Sequence, residues 1–104
     1  MRSEDFSRAD RLSDLLRSEI SLIVRDEVKD PRLEGLTIIK VDLSKDIKKA
    51  YVFFSTLNSF NDTEFSEVED GLKKAKGFIR SALSKRIKIK RIPELSFERD
   101  TLKQ

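Results

Sequence analysis

The chain has 104 residues, 39% of them charged and 38% hydrophobic, which suits one folded domain with one modest core rather than a disordered segment. It contains neither Cys nor His, so disulfides, thiol chemistry and the commonest general base and metal ligand are excluded, and no metal or cofactor is expected. With a net charge of +3, no apolar run near the ~20 residues of a membrane span and no apolar h-region at the N-terminus, the expectation is a soluble cytoplasmic protein.

The first element is a helix from about Ser7 to Glu27. Leu12, Leu15, Leu16, Ile20, Ile23, Val24 and Val28 follow a 3.6-residue period, with Arg11, Asp14, Arg17, Ser18, Ser21 and Arg25 on the other face. Ser7 and Asp10 form a capping pair at its start, and Pro31 pushes Asp30 out of helical geometry at its end. Two strands follow. In Leu36 to Ser44, Thr37, Ile39, Val41 and Leu43 share a face opposite Lys40 and Asp42; in Lys49 to Leu57, Ala50, Val52, Phe54 and Thr56 alternate with Tyr51, Phe53 and Ser55. The short gap around Lys45 and Asp46 predicts an antiparallel hairpin.

The polar stretch Asn58 to Thr63 reads as a loop, with Asp62 or Thr63 capping a second helical pattern through Phe65, Val68, Leu72, Ala75, Ile79, Ala82 and Leu83. Gly77 interrupts that pattern at a cost of about 1 kcal/mol relative to Ala, which suggests a break between two helices. After Ile87 to Ile92, Pro93 opens a last strand with Leu95 and Phe97 on one face. The order α-β-β-α-α-β predicts an α+β domain: a mixed three-stranded sheet with the last strand parallel to the second and the helices on one face.

Charge is unevenly placed. From Gly71 to Pro93 there is no acid, yet there are nine basic residues: Lys73, Lys74, Lys76, Arg80, Lys85, Arg86, Lys88, Lys90 and Arg91. The rest of the chain carries a net charge of −6. Such asymmetry is the footprint of a phosphate-binding face. In KKAKGFIR (Lys73 to Arg80), a helix-Gly-helix junction would offer backbone N–H groups to phosphate at the start of the second helix. The alternative is one long helix with a tolerated Gly and a solvated basic face. The run from Lys85 to Arg91, alternating with Ile87 and Ile89, reads as an extended arm for a nucleic-acid backbone, or else as a strand or loop whose lysines only solubilise an edge. Tyr51 and Phe53 could stack on bases, but aromatics alternating on a short strand are more often packing residues. No nucleophile is paired with a base and the three glycines match no phosphate-binding Gly loop, so an enzyme is not expected.

The segments FSRADRL (Phe6 to Leu12), KDPRLEGLT (Lys29 to Thr37), VDLSKDIKKAYVFFS (Val41 to Ser55), KKAKGFIR (Lys73 to Arg80) and PELSFERD (Pro93 to Asp100) together resemble the bacterial ribosome-binding factor A family nearly end to end. The resemblance implies a single type II KH-like domain over residues 1–104. It also implies an Ala-x-Gly kink at Ala75, Lys76 and Gly77 in place of the Gly-x-x-Gly loop of ordinary KH domains. It further implies binding to the small (30S) ribosomal subunit and its 16S rRNA, late rRNA maturation, growth in the cold, and release aided by an assembly GTPase. RNA contact is expected at Lys73, Lys74, Ala75, Lys76, Gly77 and Arg80, extended through Lys85, Arg86, Lys88, Lys90 and Arg91. Arg8, Arg11 and Arg32 match the family pattern and are left open between RNA contact and pairing with acids. A general single-stranded nucleic-acid KH module, a protein adaptor with a basic face and a small enzyme are the rival readings. Nothing in the sequence demands an obligate dimer.

Overall fold

The computed structural model describes residues 8–56 and 62–100; the Ser7 cap, the loop from Asn58 and the side chains of Asp62 and Thr63 lie outside the described residues. Helix α1 (Arg8–Asp26) buries Leu16, Ile20, Ile23 and Val24. Leu15, expected on that face, is 41% exposed, because it lies about 100° round the helix from Leu16 and falls outside the stripe. The helix stops where expected. Asp30 is extended, at φ −127° and ψ 113°, and Pro31–Leu33 form a single 3-10 turn.

That turn is held by one carboxylate. Asp30 accepts the backbone N–H of Arg32 at 3.0 Å and the Arg32 guanidinium at 2.8 to 3.2 Å. The guanidinium hydrogen bonds, followed by the backbone one, hold the Asp30 carboxyl below the usual carboxylate range. A depressed carboxyl stabilises the fold fully above its unfolded value, near pH 4, and the contribution disappears as pH falls through the folded value. Thermal melts between pH 2 and 6 should therefore show Asp30→Asn less stable than the wild type at pH 6, with the difference shrinking on acidification. A constant difference across that range would show that the carboxylate charge is not what holds the turn.

Strands β1 (Leu36–Leu43) and β2 (Lys49–Thr56) pair antiparallel, and β3 (Glu94–Arg99) pairs parallel with β2, giving the sheet order β1-β2-β3. The α+β class, the mixed sheet and the parallel third strand are as expected. Ala50, Val52 and Phe54 point into the core with Leu95, while Tyr51 and Phe53 point to the opposite face. In β1 the expected face is half wrong. A register shift between Ile38 and Lys40 leaves Ile39 as an unpaired extra residue. Ile38 sits opposite Phe54, Val41 opposite Val52 and Leu43 opposite Ala50, so the inward set is Leu36, Ile38, Val41 and Leu43. Thr37 and Ile39 are exposed, because one inserted residue reverses the alternation on either side of it.

Helix α2 (Asp62–Arg86) runs without interruption through Gly77. The expected break into two helices is absent. The penalty for one exposed Gly is about 1 kcal/mol, whereas burying each of Leu72, Ile79 and Leu83 contributes about 1.5–3 kcal/mol. Packing on both sides of Gly77 therefore keeps the helix whole. At the N-terminal end Phe65 stacks on Phe54, ring centroids 5.8 Å apart, with the Arg99 guanidinium 4.3 Å from its ring. Both helices cover the face of the sheet that carries Ala50, Val52 and Phe54.

Candidate nucleic-acid interface

Helical spacing places Lys73, Gly77 and Ser81 in one row along the outer crest of α2, all exposed. Lys74, Phe78 and Lys85 flank the row on one side; Lys76 and Arg80 flank it on the other. Ala75 faces the core and is almost fully buried. Because α2 has no second start at Gly77, no set of free N–H donors lies at that point. Any phosphate held here meets side-chain cations instead.

Beyond the helix, Ile87 closes the last turn through its N–H to the Leu83 carbonyl at 3.0 Å. Ile87 and Pro93 are buried, and Ile89 and Ile92 pack against the core. Lys88, Lys90 and Arg91, which lie between them, are exposed. The segment is an irregular loop rather than a strand, fixed by its isoleucines with its charges left in solvent.

Two of the expected RNA-contacting arginines have other partners. Arg80 donates to the carbonyl of Ile92 at 2.6 Å and to that of Pro93 at 3.2 Å, so it anchors the loop that carries Lys88, Lys90 and Arg91. Arg86 donates to Glu19 and, at 3.0 Å, to Glu27, joining the end of α2 to α1. The hydrogen bond to Glu19 raises the Arg86 value further above an already fully charged guanidinium. Arg32 is paired with Asp30; Arg8 and Arg11 are exposed. By contrast, Lys73, Lys74, Lys76, Lys85, Lys88, Lys90 and Arg91 form no ion pair with the described residues. These are the cations free to meet an external anion.

The rest of the surface differs in character. Tyr51 and Phe53, expected to be packing residues, lie half-buried on the face of the sheet that the two helices do not cover, with Lys49 5.2 Å from the Tyr51 ring and Lys40 5.1 Å from the Phe53 ring. Asp42 and Glu98 stand beside these aromatics in the strand register, so this face carries both signs of charge. A cleft of about 800 Å³ lies between the end of α1 and the edge strand β1, where Ser21 donates to the Arg17 carbonyl at 2.8 Å. Among the described residues no three acidic side chains converge as metal ligands, and no helix is long and apolar enough to cross a membrane.

Two residues outside the set expected from the sequence lie beside these cations. Lys29 and Phe78 meet across a small cavity of about 230 Å³ that Val28, Lys74 and Ala75 also line. Phe78 had a usable signal, since it is the one aromatic in the helical pattern out of phase with the core stripe. Lys29 had none, because only the fold brings the end of α1 against α2.

A family model described as ribosome-binding factor A matches residues 8–104. The ribosome-binding factor A of Dechloromonas aromatica (strain RCB) is 43% identical over 101 residues, covering 97% of this chain and 80% of the relative. That of Pediococcus pentosaceus is 43% identical over 93 residues, covering 89% and 79%. The crystal structure of ribosome-binding factor A from Thermus thermophilus is similar at a TM-score of 0.77 and 25% identity, covering 88% of this chain and 93% of that one. A homology model of the Thermus thermophilus ribosome binding factor A, as fitted into the cryo-EM map of a 30S complex, gives a TM-score of 0.72 at 25% identity, covering 89% and 96%.

Proposed function

The chain belongs to the ribosome-binding factor A family, and on that premise we propose that it binds the small ribosomal subunit during assembly, as a single non-enzymatic domain acting in the cytoplasm. The observation that carries the reading is the surface of unpaired cations along α2 and the loop after it, on a fold shared with a relative fitted into a 30S complex. Its ligand is 16S rRNA. Lysines and an arginine contact phosphate oxygens, which fixes position and orientation without reading sequence. The acidic remainder of the chain keeps contact one-sided and limits non-specific binding to nucleic acid.

In this reading the protein holds one conformation of immature rRNA, or blocks early entry of a partner, by occupying a phosphate-lined surface. Completion of the subunit removes that surface. Support of late 16S processing, growth in the cold and release by an assembly GTPase follow from the family likeness and belong to the same proposal.

Co-sedimentation with isolated small and large subunits over a salt series tests it. Binding to small subunits alone is expected. Its log affinity should fall linearly with log salt, with a slope of about −0.7 to −0.9 per phosphate neutralised. Equal binding to both subunits and to short RNA oligomers would replace this reading with the general nucleic-acid module.

A further inference from the structure

Phe78 is 49% exposed, and of the exposed large hydrophobic side chains among the described residues it alone is aromatic and alone lies among the free lysines. It is out of phase with Leu72, Ala75, Ile79 and Leu83, and it lines the cavity of about 230 Å³ between α2 and the end of α1. The apolar part of its lining is Val28, Ala75 and Phe78 itself.

The rest of the lining is charged, and its acids are occupied. Glu27 accepts from Arg86 at 3.0 Å, and Asp30 accepts from Arg32 at 2.8 Å. Lys29 and Lys74 are exposed and form no ion pair with the described residues, although the Lys74 charge acts weakly on Asp30. With both acids matched by arginines, Lys29 and Lys74 are the unmatched charges beside that apolar lining. Beside Phe78, Gly77 has no side chain, and a Cβ placed there would meet nothing within 4 Å. The backbone next to the ring is therefore open to close approach.

A flat apolar face, adjacent cations and an open approach fit a nucleotide better than a protein side chain or a free anion. An aliphatic group would have no use for the cations, and an isolated phosphate none for the ring. We propose that Phe78 is a stacking platform for one unpaired rRNA base seated in this cavity, with the flanking phosphates at Lys29 and Lys74. This rests on the rRNA-binding reading and adds to it a contact with a base, in a single-stranded part of the RNA. Stacking of this kind is sequence-tolerant, since every base offers a π-face.

The chain contains no Trp, so Phe78→Trp places a single fluorophore at the platform. The experiment pairs Phe78→Trp with Phe78→Leu and titrates each, beside wild type, with purified small subunits. Phe78→Leu keeps an apolar group and a good helix former at an exposed position, so the fold should be preserved, as melting curves will verify. Loss of one stacked base is expected to weaken its binding about 5- to 150-fold with the salt slope unchanged, since no charge is altered. Phe78→Trp should retain affinity and lose fluorescence on binding, as a stacked base quenches indole.

Wild-type affinity in Phe78→Leu would overturn the platform while leaving subunit binding intact. Blue-shifted, unquenched emission from Phe78→Trp would place a protein surface over the ring and equally overturn it. If the wild type itself fails to bind at low salt, the rRNA-binding reading falls and the platform falls with it.

Discussion

Changing Lys73, Lys74 and Lys76 together to glutamate is expected to lower affinity for the small subunit by on the order of 10²- to 10³-fold near 100 mM salt, because up to three phosphate contacts become repulsions. The salt slope should become shallower by about two to three units if each lysine meets one phosphate. The fold should survive the triple change. Lys73 and Lys74 are exposed, Lys76 is half-exposed, and none is in an ion pair with the described residues, so their reversal removes no such internal partner. Lys and Glu have similar helix propensity, and the anchors Leu72, Ala75 and Ile79 are untouched. Melting curves should therefore move little. Arg80→Gln provides the contrast. Its guanidinium is engaged with the carbonyls of Ile92 and Pro93, so the change should loosen the loop and reduce affinity while leaving the slope nearly as in the wild type. If the triple reversal leaves affinity and slope unchanged, the crest of α2 is not where rRNA binds.

The contrast between those lysines and Arg80 shows where the sequence stops being readable. Periodicity located β2, the parallel last strand and the end of α1, because each depends on local alternation or on the backbone limits of proline. The same signal failed at Ile39, where one inserted residue changes the phase and only pairing with β2 reveals it. It failed again at Gly77, where a local penalty was outweighed by tertiary packing on either side. The basic segment was correctly seen as free of acid along the chain. Surface charge depends on neighbours in space, and the fold brings Glu19 and Glu27 to Arg86 from 67 and 59 residues away. The cations that remain free are thus a subset that no linear count could identify. Lys29 joins them for the same reason.

The two glycines of α2 should respond in opposite directions. A Cβ at Gly71 would lie 3.1 Å from the Leu33 Cδ2, 3.2 Å from the Asp30 Oδ2 and 3.4 Å from the Arg32 Nε. Leu33 is buried, and Asp30 and Arg32 are fixed by their shared hydrogen bonds, so none can move aside without displacing the 3-10 turn. Gly71→Val forces two further methyl groups into that contact. Overpacking of this kind costs about 1–3 kcal/mol, which in a chain of this size lowers the melting temperature by roughly 5 to 20 °C. Gly77→Ala meets open space in the same helix and should raise stability by about 1 kcal/mol. Thermal unfolding of the two variants side by side tests both signs. A destabilised Gly77→Ala would mean that α2 is strained at that point. A stabilised one leaves the glycine without a structural reason, and subunit affinity then becomes the informative measurement. If Gly77→Ala folds more stably but binds more weakly, the bare backbone on the crest of α2 serves the ligand's approach, and part of the helix's stability is given up for binding.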